Sequence, residues 1–216
     1  MKRAIIQETL ERSGIMAVIR LRNADKLTEI IDALINGGIR ALEITMTTPN
    51  AVEIIRDTSQ NLSADFIIGA GTVLNAEAAE AVIQAGAQFV VSPVFKPEII
   101  SVAHKHDKVA IPGAFSATEI LVAWESGADM VKVFPATVLG PRYFKDIHGP
   151  LPQVKLTPTG GVSLSNAEEF IRCGAVCLGV GSALLDKDLI WGQNWAALTE
   201  KARQFRAAVE KGRALK

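Results

Sequence analysis

Asn36-Gly37-Gly38-Ile39-Arg40-Ala41-Leu42-Glu43-Ile44 closes one helix and opens one strand in a single short run. The same junction recurs at Gln84-Ala85-Gly86-Ala87-Gln88-Phe89-Val90-Val91, at Glu125-Ser126-Gly127-Ala128-Asp129-Met130-Val131 and at Arg172-Cys173-Gly174-Ala175-Val176-Cys177-Leu178. Each time an amphipathic helix precedes a glycine, which takes the left-handed backbone that a helix C-terminus favours, and apolar residues follow at once. Working outward from these junctions gives eight strands, near 15–20, 40–45, 66–70, 88–92, 108–112, 129–134, 154–158 and 175–180. The segments between them read as helices, with Asp25, Asn75, Ser116 and Ser163 at N-cap or first-turn positions.

Strands alternating with helices mean parallel β/α units. Eight such units in 216 residues predict a closed α/β structure, a single (β/α)8 TIM barrel at the compact end of its usual size. An open doubly wound sheet is the competing architecture. It carries a glycine-rich phosphate turn after its first strand, and Ile19-Arg20-Leu21-Arg22 stands there instead. Residues 1–216 are therefore read as one barrel domain with N-terminal and C-terminal helical extensions, the latter a long helix from Asn194 to Lys216.

Composition narrows the function classes. Lys plus Arg and Asp plus Glu number 23 each, so net charge is zero and no basic field invites nucleic acid or anionic lipid. Apolar residues make up 49%, which fits a compact fold. No apolar run reaches the roughly 20 residues that span a bilayer, and the opening Met1-Lys2-Arg3-Ala4-Ile5-Ile6-Gln7-Glu8 turns acidic before a signal-peptide core can form. The expectation is a cytoplasmic protein. Cys173 and Cys177 read as structural thiols, and the three histidines, His104, His106 and His148, lack metal-ligand spacing, so no metal is expected.

Chemistry concentrates in two strands. Asp129-Met130-Val131-Lys132-Val133-Phe134-Pro135 places a lysine inside a buried-strand pattern. An ammonium leaves water only if it pairs or loses its proton, and the neutral amine is the nucleophile that forms a Schiff base with a carbonyl. Ala41-Leu42-Glu43-Ile44-Thr45 carries a carboxyl in the same setting, a tunable acid/base. A plain buried ion pair between Glu43 and Lys132 is the alternative.

In a parallel barrel the strand C-termini build the active site. They carry Arg20, Glu43, Thr72, Ser92-Pro93, Lys132, Phe134 and two glycine turns, Thr159-Gly160-Gly161 and Gly179-Val180-Gly181-Ser182. Those turns follow strands seven and eight, where bare backbone N–H groups can face a phosphate. Lys96, after strand four, reads as a solvated helix-start residue.

Leu42-Glu43-Ile44-Thr45, Gly69-Ala70-Gly71-Thr72-Val73, Ser92-Pro93, Val131-Lys132-Val133-Phe134-Pro135-Ala136 and Pro158-Thr159-Gly160-Gly161-Val162 occur in this order. Together they resemble the 2-keto-3-deoxy-6-phosphogluconate (KDPG) / 2-keto-4-hydroxyglutarate (KHG) aldolase family. The resemblance runs from about Gly14 to beyond Ser182. It implies a class I, metal- and cofactor-free aldolase, a carbon–carbon lyase that is usually a homotrimer and acts on a small, phosphorylated 2-keto acid. Lys132 then matches the Schiff-base lysine and Glu43 the general acid/base. Thr72, Pro93 and Phe134 match the pyruvate pocket, and Thr159, Gly160, Gly161 and Ser182 the phosphate site, with Arg20 a basic residue at the end of strand one. Many members have arginine after the glutamate, in a Leu-Arg-Thr run, where this chain has Met46-Thr47-Thr48. The implied reaction is cleavage of KDPG to pyruvate and glyceraldehyde 3-phosphate, and of 4-hydroxy-2-oxoglutarate to pyruvate and glyoxylate. The rivals are a 6-phosphogalactonate-type aldolase and an imine-free phosphosugar isomerase, decarboxylase or binding barrel.

Overall fold

The computed structural model describes residues 1–22, 24–63 and 65–215. The strands are β1 (Ile15–Ile19), β2 (Ala41–Thr45), β3 (Ile67–Gly71), β4 (Phe89–Val91), β5 (Val109–Ile111), β6 (Gly113–Ala114), β7 (Val131–Val133), β8 (Leu156–Pro158) and β9 (Leu178–Val180). Between and around them lie α1 (Arg3–Ser13), α2 (Leu27–Asn36), α3 (Ala51–Asn61), α4 (Ala76–Gln84), α5 (Pro97–Lys105), α6 (Ala117–Glu125), α7 (Ala136–His148), α8 (Ala167–Arg172), α9 (Lys187–Trp191) and α10 (Trp195–Ala214).

The strands pair in parallel as β5-β4-β3-β2-β1-β9 and as β6-β7-β8. β5 and β6 are two halves of the fifth barrel strand, interrupted at Pro112, which has no N–H to give the ladder. Its carbonyl still accepts from Lys132 N at 2.8 Å. The eighth position closes the ring: Val176 N donates to Leu156 O, and Thr159 bridges Gly179. The eight-stranded reading holds, and the doubly wound alternative falls with closure.

The repeated glycine junctions explain how each helix hands over to a strand. Gly38, Gly86, Gly127 and Gly174 have φ of 88°, 111°, 96° and 112°. In each, the glycine N–H bonds three residues back and the next N–H bonds five back, as in Gly86 N to Ile83 O at 2.9 Å and Ala87 N to Val82 O at 2.9 Å. That is a Schellman stop, and it turns the chain straight into the strand.

Two expected caps hold and two move. The Asn75 side chain accepts from Ala78 N, and Ser116 forms a reciprocal capping box with Glu119. α2 instead begins after Lys26, and α8 after Asn166, whose Oδ1 accepts from Ser163 N. Asp25 and Ser163 lie in the turns ahead of these helices.

Two cores result. Outward strand residues such as Ile19, Ile44 and Leu178 pack under the helices. Inward ones, Met16, Ala41, Ile67, Phe89, Val91, Val109, Ile111, Met130 and Cys177, fill the lower barrel, where Ile6 and Leu10 of α1 join them. The N-terminal extension is thus a plug for the bottom of the barrel. The C-terminal extension, capped by Asn194 rather than including it, lies along the outside against α2 and α8.

Other ionisable groups singled out in the sequence are engaged by neighbouring carboxylates. His104 meets Asp129 at 3.1 Å and His106 meets Glu80 at 2.8 Å, so this pair is half-buried rather than on an exposed helix face. Lys96 is an exposed residue ahead of α5, 3.7 Å from Glu98. Cys177 is fully buried, and burial pushes its thiol up to about 12, far from a reactive thiolate.

Candidate active site

Strand side chains alternate between faces, so steps of two up an inward face show how the site is built. Met130, Lys132 and Phe134 form one such column, and Ala41, Glu43 and Thr45 another. The bottom of each is apolar, the middle ionisable, and the mouth aromatic or hydroxylic. Glu43 is completely buried and Lys132 is 4% exposed.

Burial pushes the Glu43 carboxyl above its ordinary value, opposed by the nearby charges of Lys132 and Arg20. Burial pulls Lys132 below its ordinary value; Glu43 opposes this and Arg20 adds to it. Burial thus pushes both groups toward their neutral forms, while their mutual attraction opposes it.

Among the described residues, neither carboxylate oxygen of Glu43 has a hydrogen-bond partner. A buried ion pair kept for structure would satisfy its oxygens, since leaving them bare costs roughly 1–3 kcal/mol or more. Small residues keep this space open: a Cβ at Gly71 would fall on Glu43, and one at Gly69 on the Phe89 ring. Lys132 Nζ lies 4.9 Å from the ring centroid of Phe134, a residue 37% exposed at the mouth.

Beyond Phe134 a cleft of about 780 Å³ opens along the ends of β1, β8 and β9. Arg20, Phe134, Thr159, Gly160, Gly161 and Ser182 all line it. Gly160 and Gly161 have φ of 85° and 76°, a turn that L side chains resist, and a Cβ on Gly161 would meet Thr137 at 2.7 Å. The Thr159 hydroxyl is buried without a partner among the described residues. This end of the barrel has the open backbone and spare polar atoms that an anion needs.

Thr72 and Pro93 stand on the other side of the mouth, after β3 and β4, and do not line the cleft. Thr72 holds φ of 60°, a costly conformation for a β-branched residue that is most often kept where function needs it. Thr45, Thr47 and Thr48 form a hydroxyl cluster beside Glu43, with Thr45 Oγ1 3.0 Å from Thr47 Oγ1.

The sequence places Thr157 at the end of strand seven without giving it a role. It pairs in register with Lys132, and among the described residues its Oγ1 is buried with no partner. Sequence reasoning missed Arg22, Lys26 and Lys187, which line the outer cleft and which spacing alone does not separate from ordinary surface cations.

With this geometry in place, comparison with known proteins is decisive. The KDPG and KHG aldolase family model matches residues 6–201. The chain belongs to this family. The 2-dehydro-3-deoxy-phosphogluconate aldolase of Treponema pallidum is 38% identical over 200 residues, covering 92% of this chain and 95% of its own. Among solved structures, the KDPG aldolase of Legionella pneumophila, with pyruvate captured as a covalent carbinolamine, superposes with TM-score 0.83 at 32% identity, over 91% of this chain and 96% of its own. A native KDPGal structure gives TM-score 0.82 at 30% identity, over 93% of this chain and 96% of its own.

Proposed function

We propose that this chain is a class I aldolase that cleaves KDPG to pyruvate and glyceraldehyde 3-phosphate, and 4-hydroxy-2-oxoglutarate to pyruvate and glyoxylate. The observation that carries this reading is the buried Glu43 and Lys132, with both carboxylate oxygens unpartnered among the described residues. Names of relatives supply the substrate class, and the pair supplies the chemistry.

Neutral Lys132 attacks the C2 ketone, and the carbinolamine loses water to leave a protonated imine. That cation takes the electron pair of the C3–C4 bond as the bond breaks, so the electron sink is made from substrate and lysine with no metal or cofactor. Glu43 accepts the C4 hydroxyl proton, the aldehyde leaves, and an enamine remains. Protonation at C3 and hydrolysis then free pyruvate and the amine. Covalent catalysis divides one difficult step into easier ones. In this reading Arg20, Thr159, Gly160, Gly161 and Ser182 hold the distal phosphate, while Thr72, Pro93 and Phe134 enclose the pyruvyl end.

A 6-phosphogalactonate-type specificity is the second reading, supported by the likeness to native KDPGal and by Thr47, at a position where the family resemblance implies arginine. Threonine offers no charged fork to a carboxylate, so recognition there falls to hydroxyl and backbone groups. Rates on the two C4 epimers separate these readings.

A homotrimer and a cytoplasmic location complete the proposal. Leu74, Val94, Phe115 and Val138, 52%, 45%, 41% and 74% exposed, follow successive strands around the mouth, an apolar patch suited to burial between subunits. No described helix is long and apolar enough to cross a membrane. The functional assignment is tested by Lys132→Ala: turnover is lost while the fold survives. Near-parental turnover in a clean preparation overturns it.

A further inference from the structure

The glycine turns after β8 and β9 reach an anion through backbone N–H groups, which serve a carboxylate or a phosphate alike. The rest of the cleft adds something more selective. Four cations line it, Arg20, Arg22, Lys26 and Lys187, against one carboxylate, Asp25, in a chain whose net charge is zero. Arg22 and Lys26 come from the segment between β1 and α2, and Lys187 opens α9, which follows β9.

Their local charges are not spent elsewhere. Asp186, next to Lys187, is held by Lys201 at 2.7 Å and by Asp188 N at 3.0 Å. Among the described residues Lys26 has only Glu29, at 3.6 Å with both side chains about two-fifths exposed, a surface pair of little strength. Among the described residues, Arg22 and Lys187 form no ion pair. Lines of one sign over low-dielectric walls focus the field into a cleft.

We propose that Arg22, Lys26 and Lys187 form an outer cationic rim that selects substrates whose far end is a phosphate dianion over those ending in a single carboxylate. This rests on the aldolase reading and deepens it. Lys132 does not line this cleft, so the rim acts on the distal group and not on imine formation.

The test is the triple variant Arg22→Gln/Lys26→Gln/Lys187→Gln, assayed with KDPG and with 4-hydroxy-2-oxoglutarate at several salt concentrations. The parental kcat/KM ratio of phosphorylated to unphosphorylated substrate should fall by about tenfold or more, chiefly through KM for KDPG, with a weaker salt dependence. Borohydride trapping of pyruvate on Lys132 in the same variant checks that the site is intact. An unchanged ratio with the adduct still forming overturns the rim alone. If the parent neither turns over nor traps pyruvate, the aldolase reading fails and takes the rim with it.

Discussion

A methyl group placed on Gly71 would stand 1.7 Å from Oε1 of Glu43. The end of β3 is bare so that the carboxylate of β2 can occupy the barrel interior.

Gly71→Ala is therefore expected to displace Glu43 and to lower kcat by about 10²–10⁴-fold, the range for losing a general acid/base. Overpacking should also cost roughly 1–3 kcal/mol of stability. Turnover and thermal unfolding measured on the same preparation check both. A variant with parental kcat would mean that the Glu43 position does not matter to the chemistry.

Glu43 and Lys132 also set a pH rule. Raised from 4.5 and lowered from 10.5 respectively, the pair carries one proton in between. A second proton removes the nucleophile, and loss of the last removes the acid. kcat/KM should follow a bell with both limbs between pH 4.5 and 10.5. In Glu43→Gln the bell should collapse to a single limb set by Lys132, at a rate roughly 10²–10⁴-fold lower. An unchanged two-limb profile in that variant contradicts the pairing.

The same carboxyl should cost stability. A folded-state value raised above the unfolded one means that the folded chain binds the proton more tightly, so its contribution is favourable at low pH and is lost as pH rises through the raised value. Glu43→Gln removes that loss. Its Tm should exceed the parent's once the pH is above the raised value, and the gap should close toward pH 4.5. A lower Tm at neutral pH would show that the buried carboxylate is satisfied and structural.

Much of this was legible in the sequence. The glycine stops marked four helix-to-strand junctions because only a left-handed residue lets the next strand begin so soon. Lys132 and Glu43 stood out because charge is rare in an apolar strand. Other features were not legible. Pro112 splits the fifth strand, yet its carbonyl keeps the ladder going, which only three-dimensional pairing shows. α1 read as an extension, and its role as the barrel plug depends on where Ile6 and Leu10 land. The cleft rim combines residues about 160 positions apart along the chain, Arg22 and Lys26 with Lys187, and none of them has a local signature.

The plug has its own consequence. Leu10 is fully buried among the inward residues of the lower barrel, so Leu10→Ala should cost about 2–5 kcal/mol. Because the cavity lies below the ionisable layer, pyruvate trapping on Lys132 should persist while the Tm falls. Loss of trapping in a folded Leu10→Ala protein would mean that the bottom of the barrel governs the catalytic layer.

The central claim is that Lys132 forms an imine with a 2-keto acid. Borohydride reduction in the presence of pyruvate, followed by peptide mass spectrometry, tests it most directly. The account predicts a reduced pyruvyl adduct on the peptide containing Lys132 and none in Lys132→Ala. A folded protein that takes up no adduct, or takes it up on another lysine, would contradict the account and favour an imine-free phosphosugar barrel.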